Sequence, residues 1–110
     1  MNETVEVWHN PRCSKSRAAL AHLEARGIAP EVRLYLKDPP GADEIAAMLA
    51  ALALPAADLL RKEGKALRDR PEAEIIAAMV ADPALIERPV IRRGDKAVIG
   101  RPTEAIDTLF

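Results

Sequence analysis

The stretch that decides the fold runs from residue 4 to residue 26 and reads TVEVWHNPRCSKSRAALAHLEAR. Its first part, Thr4 to Trp8, alternates around two valines and is rich in β-forming residues, which predicts a first strand. A His-Asn-Pro turn signal ends this strand, and the apolar spacing from about Ser14 to Arg26 predicts a helix. Cys13 therefore lies at a strand-to-helix junction.

The rest of the chain extends this start into an α/β pattern. Residues 31–36 alternate again, which predicts a parallel second strand with Val32, Leu34 and Leu36 on one face. Prolines then divide an alanine-rich region into predicted helices, and the tail predicts a hairpin and a closing helix. The expected ranges are 43–52, 55–62 and 71–81 for the helices, 89–92 and 96–99 for the hairpin strands, and 103–109 for the closing helix. This order predicts an α/β fold, with a mixed sheet flanked by helices and a helical insertion at about 40–84 between a β-α-β and a β-β-α part.

Length and composition limit the possible functions. The 110 residues fit one domain, 1–110, and 49% hydrophobic residues exclude a mainly disordered chain. With 16 Lys+Arg against 17 Asp+Glu the net charge is -1, so the chain lacks the basic excess that nucleic acid or an anionic membrane would select. The N-terminus lacks the pattern of a secretory signal, and the longest apolar stretch is too short to span a membrane. We expect a cytoplasmic monomer whose core rings are Trp8, Tyr35 and Phe110.

Cys13 has the sequence surroundings of a reactive thiol. A free thiol is only about 3% thiolate at pH 7, and a helix N-terminus and nearby cations both favour the thiolate. Arg12, Lys15 and Arg17 supply such cations, and His9 adds another cation or a hydrogen bond. The same groups suit an oxyanion beside the sulfur. The alternative is that Cys13 is a small buried packing residue.

The residue three positions after Cys13 is Ser16, so this chain cannot form an internal disulfide. Release of an oxidised or modified Cys13 then requires an external thiol. Ser16 has a capping role or a direct catalytic role as equal alternatives. His9 and His22 lie far apart without a carboxylate cluster, so we expect no metal site and no tightly bound cofactor, with His22 structural.

Three arginines stand at the ends of predicted elements: Arg61, Arg88 and Arg101. Guanidinium groups bind tetrahedral oxyanions well because they donate hydrogen bonds in pairs and stay charged. Each arginine alone also fits a solvated surface position. Pro89 opens a predicted strand, and its peptide bond can be cis or trans.

Taken together, several motifs resemble the glutaredoxin-coupled arsenate reductase family, over nearly the whole chain and in the same order. They are His9-Asn10-Pro11-x-Cys13-x-x-Ser16-Arg17, Tyr35-Leu36-x-x-Pro39-Pro40, Leu59-Leu60-Arg61-Lys62, Glu87-Arg88-Pro89-Val90 and Gly100-Arg101-Pro102-x-Glu104. The resemblance implies a thioredoxin/glutaredoxin-like fold (ArsC-like). It makes Cys13 the nucleophile and Pro89 the cis-proline of that fold. It makes Arg61, Arg88 and Arg101 the oxyanion-binding catalytic groups, with His9, Ser16 and Arg17 completing the substrate site.

The resemblance also implies a reaction. Cys13 thiolate attacks arsenate, glutathione attacks the adduct as cosubstrate, and the partner glutaredoxin reduces the mixed species so that arsenite leaves. A second hypothesis is a redox-sensing or regulatory protein of the same family, in which Cys13 is a sensor. The regulators of the family typically carry Cys-x-x-Cys, whereas Ser16 stands at the second position here.

Overall fold

The computed structural model describes residues 4–110, and these form a four-stranded mixed sheet. Its strands are β1 (Val5–Trp8), β2 (Glu31–Arg33), β3 (Val90–Arg93) and β4 (Lys96–Ile99), in the order β2-β1-β3-β4. β1 and β2 are parallel, and β3 is antiparallel to both β1 and β4. The predicted mixed sheet and β-α-β unit are confirmed.

The described part of the chain contains three α-helices: α1 (Ser14–Ala25), α2 (Ala42–Leu52) and α3 (Glu72–Ala81). Gly27, at a φ of 75°, follows α1 in the left-handed conformation that commonly ends a helix. Shorter 3₁₀ segments occupy Ala56–Leu59, Lys62–Leu67, Pro83–Leu85 and Thr103–Leu109. No helix within residues 4–110 is long and apolar enough to cross a membrane.

Each face of the sheet packs against its own group of helices because successive strand residues point to opposite faces. On one face, Val7 and Ile91 pack with Leu23 of α1 and Ile106 of the closing 3₁₀ segment. His22 of α1 and Arg26, the residue that follows α1, both bond to the Asp107 carboxylate at 2.7 Å, which ties α1 to that segment. The structural role predicted for His22 is consistent with this contact.

On the other face, a larger cluster joins the sheet to the helical insertion. Trp8, Val90 and Ala97 of the strands pack there with Tyr35 and with apolar residues of α2, α3 and the 3₁₀ segments. Both clusters reach the end of the sheet where β1 leads into Cys13 and where β3 begins.

The prediction for β2 was wrong in its length and in its buried face. The strand ends at Arg33, and a turn follows in which the Leu34 carbonyl accepts hydrogen bonds from the N–H groups of Lys37 and Asp38. β2 lies at the sheet edge, and Val32, Leu34 and Leu36 are 46%, 38% and 42% exposed. Tyr35 turns inward instead and is fully buried.

Further differences concern the helical segments and the C-terminus. In place of the predicted helix at 55–62 the structure has a 3₁₀ segment at Ala56–Leu59. Leu60 then forms a β-bridge with Ile86, and a second 3₁₀ segment begins at Lys62. The closing helix has the predicted range, but it is a 3₁₀ helix. Phe110 is 39% exposed rather than part of the core, because its ring lies against the guanidinium groups of Arg26 and Arg93.

Candidate active site

Cys13 occupies the N-cap position of α1, directly after the turn that follows β1. Its N–H donates to the Asn10 carbonyl at 3.0 Å, and its carbonyl accepts from the Arg17 N–H at 3.0 Å. These bonds fix the residue between turn and helix, and its side chain is 9% exposed. A thiol at this position faces the unpaired N–H groups of the first helical turn.

The balance of forces on Cys13 favours the thiolate. Burial raises the pKa of the thiol, but the backbone N–H groups of Ser16 and Lys15 and the Arg88 guanidinium outweigh burial, so the pKa is lowered from its ordinary value. Arg88 acts both through its charge and by donating to the sulfur. Nη2 of Arg101 also donates to Sγ, at 3.5 Å. The thiol is thus partly accessible and activated, which argues against a purely packing role.

His9 lies beneath the first turn of α1, and its ring contacts Ser16 rather than the sulfur. Nδ1 of His9 and Oγ of Ser16 are 2.7 Å apart, and the same hydroxyl accepts the Asn10 N–H at 3.0 Å. Burial, with a smaller contribution from the charge of Arg17, lowers the pKa of His9. The imidazole is therefore neutral at neutral pH. Through Ser16, which is fully buried, it holds the turn and the start of the helix together.

Two of the three predicted arginines surround the sulfur. Arg88 precedes β3 and Arg101 follows β4, so the antiparallel pairing of these strands places both at one end of the sheet. Nε of Arg101 donates to the Arg88 carbonyl at 2.7 Å. Glu87 Oε1 lies 3.3 Å from Nη1 of Arg88 and 3.5 Å from Nε of Arg101, so one carboxylate orients both guanidinium groups.

Arg61 reaches the same region through the bridge between Leu60 and Ile86. Its N–H donates to the Leu85 carbonyl at 2.8 Å, and its guanidinium pairs with Glu63 at 2.8 Å. Within residues 4–110, the buried Nε atoms of Arg61 and Arg88 find no hydrogen-bond acceptor. Buried donors of this kind are expected to have a partner when the protein functions.

Arg17 is placed apart from these groups. Its side chain is exposed and donates to the Pro11 carbonyl at 2.9 Å. Its guanidinium thus supports the turn before Cys13, and its role in substrate binding stays a prediction. Across residues 4–110, no three His, Cys, Asp or Glu side chains come together in a way that could hold a metal ion.

Sequence reasoning missed three features of this site. The sequence analysis names Glu87 only within a motif, although a carboxylate next to Arg88 is a signal for a group that orients the guanidinium. The Arg101–Pro102 peptide bond is cis, which the sequence did not indicate; the cis Arg88–Pro89 bond, by contrast, was implied by the resemblance and is confirmed. The sequence places Tyr35 in the core and in a family motif but gives it no role in the site. In the structure burial raises the pKa of its hydroxyl and keeps it protonated, while the charges of Arg88, Arg61 and Cys13 also act on it.

Comparison with known proteins fits this geometry. Residues 8–109 match the model of the ArsC family. The chain belongs to the ArsC family. A solved structure named arsenate reductase, from Vibrio cholerae, is 35% identical and superposes on this ArsC-family chain with a TM-score of 0.92, covering 100% of both chains. The fold is therefore the thioredoxin-like α/β fold of that family, as the resemblance implied.

Curated relatives match over shorter segments. An arsenate reductase of Neisseria meningitidis serogroup A is 53% identical over 53 residues, 48% of this chain and 45% of the relative. The uncharacterized protein YfgD of Escherichia coli K12 is 42% identical over 64 residues, 57% of this chain and 54% of the relative. The matched part of the chain thus spans about half the length of these curated relatives.

Proposed function

We propose that this ArsC-family protein reduces arsenate to arsenite, with Cys13 as nucleophile and with glutathione and glutaredoxin as external reductants. The observation that carries the proposal is the pairing of an activated thiol with guanidinium groups. Arg88 and Arg101 contact the sulfur, while buried Nε donors of Arg61 and Arg88 find no acceptor within residues 4–110. A thiolate beside unused, fixed donors suits attack on a bound oxyanion.

In the first step, Cys13 thiolate attacks the arsenic atom, an S–As bond forms, and one arsenate oxygen leaves as water after protonation. Arg88 and Arg101 stabilise the negative charge on the remaining oxygens, and Arg61 supplies a further guanidinium from the neighbouring bridge. The lowered pKa of Cys13 increases the fraction of the reactive thiolate at neutral pH.

The reduction itself needs thiols that this chain does not provide, because Cys13 is its one cysteine. Glutathione replaces a second oxygen as water and forms another S–As bond. A glutaredoxin thiolate then attacks the glutathione sulfur, and the electron pair of the broken S–As bond stays on arsenic. The products are a glutaredoxin–glutathione disulfide and As(III) on Cys13, and water releases arsenite with regeneration of the thiol. A reducing cytoplasm, in which the protein acts as a monomer, supplies these thiols.

A groove of about 270 Å³ beside the Cys13 turn is our candidate for the glutathione site. Pro11, Leu34 and Leu36 contribute apolar walls, and the exposed cations Arg12 and Lys37 lie along it. The two carboxylates of glutathione complement these cations, and the turn residues lead directly to the sulfur. Lys37→Glu should then raise the glutathione concentration needed for half-maximal rate, whereas Lys96→Glu on the exposed end of β4 should leave it unchanged.

The second candidate is a redox-sensing protein, because an activated and partly accessible thiol also suits a sensor. A sensor has no need for oxyanion turnover. The two functions therefore differ in whether the arginines contribute to catalysis.

The deciding experiment measures arsenite formed from arsenate with glutathione, glutaredoxin and a reductant that recycles glutathione. We expect turnover by the wild type, none by Cys13→Ser, and a loss of kcat/KM of about 100-fold to 1000-fold for Arg61→Ala. Arg70→Ala, a substitution at a 65% exposed side chain paired with Glu74, is the matched control and should retain activity. Absence of Cys13-dependent arsenite would overturn the proposal and favour the sensor.

A further inference from the structure

A buried tyrosine lies under the candidate site without a bonding partner. Tyr35 is 0% exposed, and its hydroxyl finds no hydrogen-bond partner within the described residues 4–110. Leaving a buried polar group unsatisfied costs about 1–3 kcal/mol, so native structures rarely keep one without reason. The hydroxyl therefore calls for a role that the unliganded protein does not show.

Tyr35 shares a buried cluster with residues of the segments that carry Arg61 and Arg88. It belongs to the same buried cluster as Leu60 and Ile86, the two residues of the β-bridge. Arg61 directly follows Leu60, and Arg88 lies two residues after Ile86. Both arginines carry a buried Nε donor that lacks an acceptor in the part of the chain described here.

The charges of both arginines act on the Tyr35 phenol, that of Arg88 more strongly than that of Arg61. Burial outweighs them and raises the pKa of the phenol above its usual value. Tyr35 is thus neutral at any working pH. A neutral hydroxyl can accept a hydrogen bond from a guanidinium N–H without cancelling the positive charge of the site.

We propose that Tyr35 is a positioning residue of the oxyanion site: when the anion binds, its hydroxyl accepts the Nε–H of Arg88 and fixes the guanidinium over Cys13. This inference rests on the oxyanion site of the proposed function. The hydroxyl is too deeply buried to meet the anion itself, so it acts through Arg88. In the free protein this bond is absent, and we expect it to form when the anion binds.

The test uses Tyr35→Phe, which removes the hydroxyl and keeps the ring. Sulfate is the probe, and its binding is read from the protection of Cys13 against iodoacetamide. We expect sulfate protection to weaken about tenfold, which corresponds to about 1.4 kcal/mol, while the unfolding midpoint of the sulfate-free protein stays the same or rises. A rise follows because an unsatisfied buried group is removed. Ile75→Val in α3, which loosens the same cluster without removing a polar atom, should lower the unfolding midpoint and leave sulfate protection unchanged.

A double-mutant cycle then tests whether Tyr35 acts through Arg88. In an Arg88→Ala background, Tyr35→Phe should weaken sulfate protection no further, because the bond is already lost. Additive effects, unchanged protection in Tyr35→Phe, or a large drop in its sulfate-free stability would each overturn the inference. If the wild type forms no arsenite but its sulfate protection depends on Tyr35, the proposed reaction fails while this inference stands.

Discussion

Replacing Arg101 by glutamine tests whether the thiolate depends on the arginines around it. Nη2 of Arg101 lies 3.5 Å from Sγ of Cys13. Coulomb's law gives about 1.2 kcal/mol for two unit charges at this distance in water, and about 4.7 kcal/mol at an effective dielectric constant of about 20. The Arg101 side chain is 33% exposed, so solvent screens the pair and we base the expected effect on the smaller figure. It corresponds to about a sevenfold loss in the thiolate-to-thiol ratio.

The assay is the rate of iodoacetamide alkylation of Cys13 as a function of pH, because the thiolate is the species that reacts. Arg101→Gln should move the midpoint of the profile to higher pH, and Arg101→Lys should move it less because the charge is kept. Arg70→Gln makes the same charge change at a 65% exposed side chain and serves as the control. The reasoning is refuted if the Arg101→Gln and Arg70→Gln profiles coincide while both proteins remain folded by circular dichroism.

Three further predictions concern stability. Burial lowers the pKa of His9, so the folded state binds fewer protons than the unfolded state. The free energy of unfolding should therefore fall as the pH drops below about 6.5, and it should fall less in His9→Asn; urea unfolding at several pH values measures both. At Gly100 a Cβ would lie 2.9 Å from the nearest side-chain atom, so Gly100→Ala should lose about 1–3 kcal/mol, whereas Gly41→Ala, with its nearest atom at 4.0 Å, should not. The hydrogen bond with His22 lowers the pKa of Asp107, so this carboxylate stabilises the fold at neutral pH and loses that effect as the pH falls through its pKa in the folded state. The unfolding midpoint of Asp107→Asn should therefore differ from that of the wild type more at pH 7 than at pH 3, and an equal difference at both pH values would contradict this.

The local parts of the fold follow from the sequence because their signals lie within a few residues. Alternation over β1, the turn before Cys13 and the glycine after α1 together place the thiol at a helix N-terminus, as the structure confirms. β4 has the predicted bounds, and β3 lies one residue later than predicted. The resemblance of the motifs also predicted the family, and the match of residues 8–109 to the ArsC family confirms it.

The errors arise where long-range contacts override local pattern. Residues 31–36 alternate like a half-buried strand, but the edge position of β2 leaves Val32 and Leu34 exposed and sends Tyr35 inward. The helix predicted at 55–62 is broken by the pairing of Leu60 with Ile86, a partner 26 positions away that periodicity cannot reveal. Contacts between residues so far apart in the sequence form only in the folded chain, so a local pattern cannot predict them.

The protonation of His9 is the clearest case in which sequence left the chemistry open. A histidine four residues before the cysteine suggests either a cation beside the thiol or a hydrogen-bonding group. Its burial against Ser16 selects the neutral form, so His9 adds no cation beside the thiol. The helix N–H groups and Arg88 lower the pKa of Cys13, and the Arg101 guanidinium also donates to its sulfur. Burial is a tertiary property, and it decides between the two roles.

The charged groups around Cys13 balance one another, and the net charge of the whole chain, -1, does not reveal this. Around the sulfur, the positive charges of Arg88 and Arg101 face the Glu87 carboxylate and the Cys13 thiolate, so these four groups sum to zero. Arg61 is likewise paired with Glu63. An incoming oxyanion therefore gains little from excess positive charge. Its affinity must come from fixed donors, namely the first-turn N–H groups of α1 and guanidinium N–H groups without acceptors, and such directed donors favour one small tetrahedral anion over an extended polyanion.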